Sequence, residues 1–324
     1  MNSKYIPETE SLKTILAEYG ITNFTYKQSL DGIENTTLFI FANNINYVLR
    51  VYRLDSKTDT EIKTEIEFID FLSENVFAVP EIYPNIRGDL FTKITIDDQE
   101  WQMILMEKIH GVEIPENNWV KNIELLENMA HTQATLHMLG AEFAQIKMKN
   151  DYELEVSDSG VGKTLILKLD EIKKINDLGQ DLVEIISAIK SQDYQYDPFL
   201  PLGYIHDDID WNNLILDDEN VINVIDFGDL RVGPIVSCLA SGLFTVILSA
   251  FEIGEDIQIY AQKYLDYYRE IRDVAEIELQ EVLKPIELTV DLYLVSEILK
   301  AKKFNAKIES YIKFKDLVQG LIIS

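Results

Sequence analysis

One change of periodicity, near residue 107, constrains this chain more than any other feature. Before it the apolar residues come in short β-prone runs; after it they recur at helical spacing. Residues 36–42 (TTLFIFA) and 46–52 (NYVLRVY) read as two strands joined by Asn43-Asn44-Ile45, a turn-forming triplet. The stretch KITIDDQEWQMILMEKI reads as two more around Asp97-Asp98, the second ending near Met106. One helix lies between the pairs. Thr58 and Glu61 form a capping box, and at about 100° per residue Ile62, Ile66, Phe68, Ile69 and Leu72 share one arc. VPEIYPN then breaks the helix with two prolines.

After His110-Gly111 the pattern is helical over 122–139 and within 163–191 and 255–318. One hairpin interrupts it, at 214–225, where two apolar runs flank the acidic turn Asp217-Asp218-Glu219-Asn220. The expectation is an α+β protein of two lobes with a cleft between them, β-rich over 1–106 and mainly helical over 107–324. At 324 residues the chain is long enough for two cores, on a prior of roughly 100–200 residues per domain.

Residues 232–251 carry no formal charge over 20 positions, which is long enough to span a bilayer. Pro234, Ser237, Ser241, Gly242, Thr245 and Ser249 interrupt the run, so it reads as a buried core helix and no membrane is expected. Lys and Arg number 29 against 56 Asp and Glu, a net charge of −27, which argues against nucleic acid and suits a cationic small molecule. The six lysines between 300 and 315 read as a solvated face of the last helices. A single cysteine, Cys238, allows no intrachain disulfide and no Cys/His zinc cluster. The opening MNSKYIPETESLK lacks an apolar core, so a cytoplasmic location is the expectation.

The chemistry concentrates in YIHDDIDWNNLILDDENVINVIDFGD. His206-x-Asp208 is followed by Asn213 five residues on, and by Asp226-Phe227-Gly228 beginning thirteen after that. Phosphoryl transfer needs a carboxylate to align the attacking hydroxyl and take its proton, together with hard oxygen ligands for Mg²⁺. Asp208 supplies the first and Asn213 with Asp226 the second; Asp207 and Asp210 are the nearest alternatives for the base. The hairpin between Asn213 and Asp226 explains how two ligands thirteen positions apart can converge.

This spacing resembles the protein-kinase-like fold, in particular its small-molecule branch, the aminoglycoside phosphotransferase family with the choline, homoserine and hydroxylysine kinases. The resemblance covers most of the chain, least over 150–200. It implies Asp208 as the catalytic aspartate, Asn213 and Asp226 as Mg²⁺ ligands, ATP or GTP as co-substrate, and His206 as a brace for the loop. YVLRVY looks like the strand that carries the phosphate-binding cation, which puts Arg50 there with Arg53 as a rival; Arg offers phosphate a planar fork. EIEFIDFL resembles the partner helix and nominates Glu65. The periodicity agrees: relative to Ile62, Glu65 lies at about 300°, inside the apolar arc, while Glu67 and Asp70 face outward. A carboxylate in such an arc wants a buried partner, and Arg50 is the candidate.

By the same resemblance Gly32 and Asn35 belong to a nucleotide-covering loop, although Asp31–Thr36 reads equally as an ordinary hairpin turn. Glu107 and Ile109 fall in a hinge that would receive the purine through backbone groups, and His137 matches a structural helix histidine. The implied reaction is transfer of the γ-phosphate to a hydroxyl of an amine-bearing small molecule: an amino alcohol, hydroxy amino acid or aminoglycoside. Several positions depart from the family pattern: Asp207 replaces a small residue, Asp210 a His or Ser, and Trp211 a proline. Cys238 stands where an aspartate normally supports the loop. A nucleotide-binding pseudokinase with a regulatory role is therefore the alternative. A third reading is the near-P-loop SDSGVGKT (157–164), in which Ser157 replaces the first glycine; no alternating strand–helix series surrounds it, and GKT reads as a helix start.

Overall fold

In the first half of the chain, strand alternation decides which residues meet. In this computed structural model, which describes residues 7–29, 35–52, 57–114, 119–149, 161–175, 178–189 and 196–323, the chain forms two compact units. One comprises Met1–Val112 with Leu214–Gly228, the other Glu113–Asn213 with Asp229–Ser324. The sequence-based division at 106/107 lies six residues earlier and leaves the 214–225 hairpin with the second lobe, whereas it groups with the first unit. Gly32, Arg53 and residues 157–160 lie outside the described residues.

The first unit is built on an antiparallel sheet. Its strands are β1 (Thr25–Gln28), β2 (Thr36–Ala42), β3 (Ile45–Tyr52), β4 (Ile82–Tyr83), β5 (Thr92–Ile96) and β6 (Gln99–Glu107), in the order β1-β2-β3-β6-β4 with β5 on β6. The expected hairpins form. β2 pairs Ala42 with Ile45, so the turn is the two residues Asn43-Asn44, both with positive φ (53° and 62°). Asp97 and Asp98 make the same kind of turn between β5 and β6, with φ of 51° and 63°. Asn and Asp tolerate this left-handed geometry, which matches the natural twist of a hairpin.

Tyr47, Leu49 and Val51 of β3 join the core formed with Leu12, Ile15 and Leu16 of α1 (Thr9–Ala17). Period 2 therefore turns Arg50 and Tyr52 to the opposite face, where α2 (Asp59–Glu74) lies. The capping box at Thr58 and Glu61 is complete, and Ile62, Ile66, Phe68, Ile69 and Leu72 are buried as the arc requires. The returning hairpin, β9 (Leu214–Leu216) with β10 (Ile222–Val224), is tied to this unit by the Val224 N–H on the Ala78 carbonyl and by Phe227 edge-on to Phe68. The two-residue strand β7 (Val112–Glu113) falls at the boundary of the units.

The second unit contains α3 (Ile123–Lys149), α4 (Val161–Ile172), α5 (Gln180–Ala188), β8 (Leu202–Ile205), β11 (Arg231–Pro234), α6 (Ile235–Glu252), α7 (Ile257–Ile271), α8 (Glu276–Glu281), α9 (Leu283–Ala301) and α10 (Ala306–Gln319). The expectation of helices broken by one hairpin fails at β8 and β11, which pair antiparallel with Arg231 opposite Ile205. Each strand is four residues long and its partner is remote in sequence, so no local signal marks it. Gly140 of α3 lets that helix touch the strand backbone: a Cβ there would fall 2.0 Å from the Tyr204 carbonyl oxygen. The apolar segment starts its helix at Ile235, after Pro234, and not at Val232, which belongs to β11. This α6 is long and apolar enough to cross a membrane, but 83% of it is buried inside the protein. α4 contains Gly162, Lys163 and Thr164 and packs Leu165, Leu169 and Ile172 on Leu294, Val295 and Ile298 of α9.

Candidate active site

In the first unit, four charged groups and one phenol meet beneath β3. Arg50 Nη1 donates to Glu65 Oε1 at 2.9 Å, and Arg50 Nη2 donates to Asp226 Oδ1 at 2.6 Å. Glu65 is fully buried; it also accepts from Lys57 Nζ at 2.7 Å and from the Tyr52 hydroxyl at 3.1 Å. The arc of α2 thus places its one inward carboxylate opposite the one inward cation of β3, as the sequence indicates. Lys57, the residue before the Thr58 cap and eight before Glu65, joins the cluster although no sequence pattern marks it. Burial pulls the Arg50 guanidinium pKa down, but the Asp226 and Glu65 carboxylates outweigh it and hold the group above its ordinary value. Burial and the Glu65 charge push the Tyr52 phenol well up, so it stays a donor.

Asp226 follows β10 in left-handed geometry, φ 62°, and its side chain is about half exposed. Its Oδ1 also accepts the Gly228 N–H at 3.2 Å. Gly228 lies against the Asp226 side chain, where a Cβ would fall 2.9 Å from Oδ1, with Asn35 and Arg50 in ordinary contact at 3.7 and 3.9 Å. Asn35 Oδ1 is buried without a hydrogen-bond partner among the described residues. An orphaned amide oxygen beside a half-exposed carboxylate and a cation fits a polar ligand here. Glu107 closes the β3–β6 ladder opposite Tyr47, and its N–H donates to the Glu81 carbonyl; Ile109 lies two residues beyond that last pair.

In the second unit, β8 delivers the fully buried His206 and then three aspartates that the fold treats differently. Asp207, at φ 63°, accepts Arg231 Nε and Nη2 on its two oxygens, both at 2.7 Å. Asp210 Oδ1 accepts the Asn212 N–H at 2.8 Å and so caps the 3₁₀ turn Trp211–Asn213. Burial pushes its carboxyl pKa up, against the Asn212 N–H groups that favour the charged form. Asp208 is exposed, and its Oδ2 accepts Asn213 Nδ2 at 2.9 Å. The same Nδ2 donates to the Asp208 carbonyl at 2.9 Å. With its nitrogen committed twice to Asp208, Asn213 has its amide oxygen left to offer, the hard ligand atom Mg²⁺ prefers. The β9–β10 ladder pairs Leu214 with Val224, so the residues preceding β9 and following β10 leave from the same end of the hairpin.

A stripe on α6 supports this loop. Ser237, Ser241, Thr245 and Ser249 recur every four residues, hence on one helix face. Ser237 Oγ accepts from Arg231 at 3.0 Å, and the Ser241 and Thr245 hydroxyls reach the Ile209 carbonyl at 3.5 and 3.4 Å, the long end of the hydrogen-bond range. Ser249 Oγ accepts the Trp119 indole N–H at 2.8 Å. The i, i+4 spacing of these four residues is visible in the sequence and is the signal that marks them as one face. Cys238 is fully buried, and burial with the Asp207 charge pushes its thiol up to about 12. His137 Nδ1 hydrogen-bonds the Tyr268 hydroxyl at 2.6 Å inside the core, consistent with a structural role.

The sequence profile of the phosphotransferase enzyme family, APH, matches residues 25–274. The chain belongs to that family. The expected enzyme class, a phosphotransferase with an alcohol group as acceptor, stands with this membership. No curated protein matches the chain by sequence. Among solved structures, a microcompartment-associated aminopropanol kinase is 18% identical with a TM-score of 0.63, over 97% of this chain and 95% of that one. An amicoumacin kinase in complex with AMP-PNP and Ca²⁺ is 15% identical with a TM-score of 0.67, over 98% and 95%. An aminoglycoside phosphotransferase from Alicyclobacillus acidocaldarius is 13% identical with a TM-score of 0.63, over 99% and 95%. These likenesses establish the protein-kinase-like α+β fold. The P-loop alternative loses its support: the sheet of the first unit is antiparallel throughout, and the family match accounts for the chain without it.

Proposed function

We propose that this phosphotransferase moves the γ-phosphate of ATP, or of GTP, to a hydroxyl of a small amine-bearing acceptor: an amino alcohol, hydroxy amino acid or aminoglycoside. The observation that carries the assignment of the base is the division of labour among the three loop aspartates. Asp207 is neutralised by Arg231 and Asp210 caps a turn, which leaves Asp208 exposed with its carboxylate oriented by Asn213. Asp208 accepts the proton of the acceptor hydroxyl as its oxygen bonds to phosphorus and the bond to the nucleoside diphosphate breaks.

Arg50 is the phosphate-binding cation in this reading, held by Glu65. Asn213 and Asp226 would each offer Mg²⁺ an oxygen ligand, and the ion would supply charge neutralisation at the phosphates. Gly32 and Asn35 cover the nucleotide, and Glu107 and Ile109 flank its base. A bound nucleotide analogue in the amicoumacin kinase supports ATP as co-substrate. The aminopropanol kinase and the aminoglycoside phosphotransferase, together with the net charge of −27, support an acceptor carrying an amine. The acidic surface and the burial of α6 fit a cytoplasmic enzyme without nucleic-acid or membrane partners.

A regulatory pseudokinase is the second reading, favoured by one observation: Cys238, where relatives carry a loop-supporting aspartate, is a neutral buried thiol. Asp208→Asn separates the two. Turnover against a panel of hydroxyl-bearing amines with Mg²⁺-ATP should fall at least about 10²-fold, the scale of losing a general base, with nucleotide affinity nearly unchanged. Undiminished transfer would move the base elsewhere; no transfer by either protein against any acceptor would favour the pseudokinase.

A further inference from the structure

We infer that the Asp207–Arg231 ion pair is a positioning device for Asp208, holding the backbone one residue before the base in the geometry that transfer requires. The inference rests on the assignment of Asp208 made above. Asp207 sits at φ 63°, a conformation that glycine adopts freely and that aspartate tolerates at a modest cost, so a partner that holds the side chain also holds this backbone. What fixes it is a bidentate contact: Nε to Oδ2 and Nη2 to Oδ1, each 2.7 Å, between side chains only 10–11% exposed. A bidentate guanidinium–carboxylate pair has one favoured orientation, so it restrains rotation as well as distance.

Three further features show that the fold is shaped around the pair. Arg231 Nη2 also donates to Ser237 Oγ at 3.0 Å, and that hydroxyl in turn donates to the Pro234 carbonyl, so the first turn of α6 orients the guanidinium. The guanidinium lies across Gly233: a Cβ at that residue would fall 2.1 Å from Nη1, so only glycine leaves the space. Arg231 stands opposite Ile205 in the β8–β11 ladder, so the strand that leads into His206-Asp207-Asp208 and the strand that carries the cation are in fixed register. On the far side of Asp208, the Ile209 carbonyl is reached by Ser241 and Thr245. The base thus stands between two anchored residues. Cys238, one residue after Ser237, is neutral and offers the loop no charge; Asp207 brings the carboxylate from the loop itself and Arg231 supplies its partner.

A buried pair need not stabilise the fold more than apolar residues would. What distinguishes a positioning role is an effect on turnover larger than the effect on nucleotide binding. The test compares Asp207→Asn, Asp207→Gly, Arg231→Gln, Arg231→Lys and the double variant Asp207→Asn/Arg231→Gln. Mg²⁺-ATP is the phosphate donor, with water and an amino-alcohol panel as acceptors. Asp207→Asn and Arg231→Gln should each lower kcat by about 10- to 100-fold, the scale of misplacing a reacting group by about an ångström, with the nucleotide Kd within about twofold of wild type. The double variant should be no worse than the worse single, and Arg231→Lys should recover part of the loss. Asp207→Gly, which favours the same backbone but cannot pair, should be as impaired as Asp207→Asn.

Backbone amide exchange over 207–213, measured by mass spectrometry, needs no acceptor and should quicken in every variant that loses the pair. Variants with lowered melting temperature but wild-type kcat, a fully active Asp207→Gly, or unchanged exchange would each overturn the inference. Asp208→Asn in the same assay keeps the two readings apart: if it retains transfer, the base assignment falls, while the exchange data still report whether the pair holds the loop.

Discussion

Glu65→Gln probes the buried charge cluster with little change of volume. In the folded chain Glu65 is fully buried and faces two cations, Arg50 at 2.9 Å and Lys57 at 2.7 Å, as well as the Tyr52 hydroxyl. Removing one partner of a buried ion pair typically costs about 3–5 kcal/mol, because the remaining charge is left without compensation. Two features reduce that here. Arg50 retains Asp226 at 2.6 Å, and the Lys57 side chain is 13% exposed, so its ammonium group can be rehydrated. A loss of about 2–3 kcal/mol is expected, since one cation stays paired and the other reaches water. At roughly 2–4 °C per kcal/mol for domains of 150–250 residues, the melting temperature should drop by about 4–12 °C. Thermal and urea unfolding at pH 7.5 measure it, with Lys57→Gln as control; that change should cost only about 1 kcal/mol, because Glu65 keeps Arg50 and the Tyr52 hydroxyl as partners. A drop under about 1 °C, or a Lys57→Gln loss equal to that of Glu65→Gln, would refute the picture of a buried carboxylate holding Arg50.

Millimolar Mg²⁺-ATP or Mg²⁺-GTP should raise the melting temperature by mass action, and EDTA should remove the gain. Asp226→Ala should abolish it and Lys163→Ala should leave it; the reverse pattern would restore the P-loop reading. Because burial pushes the Cys238 thiol up to about 12, iodoacetamide at pH 8 should label the protein only after denaturation; rapid labelling of the native state would contradict the burial of α6. Burial holds the His137 pKa well below its ordinary value, so the histidine is neutral when folded and takes a proton when unfolded. Its contribution to stability is complete above about pH 6.5 and declines below it, by up to roughly 1.4 kcal/mol per pH unit until the folded pKa is reached. His137→Gln should flatten that part of the stability–pH curve, and an unchanged slope between pH 6.5 and 5 would show that other groups govern it.

The sequence by itself determined whatever depends on local pattern. The β2–β3 and β5–β6 hairpins, the capping box at Thr58 and the inward phase of Glu65 all follow from residues within one or two turns of each other. The resemblance carried by the loop and DFGD text nominated Asp208, Asn213 and Asp226, with Asp207 and Asp210 left as alternatives for the base. What the tertiary structure decided is how residues remote in sequence are shared out. Nothing local in LGYI or RVGP marks a strand; β8 and β11 exist because each completes the other across 25 intervening residues. Likewise Arg231 reads in the sequence as an unremarked cation and Asp207 as a departure, yet their pairing is what separates Asp207 from Asp208 chemically. Sequence spacing nominates Asp208 over its neighbour but does not show which of the two is already paired. Only the distribution of partners in space, fixed when β11 and the first turn of α6 close over the loop, leaves one of them paired with an arginine and the other exposed beside Asn213.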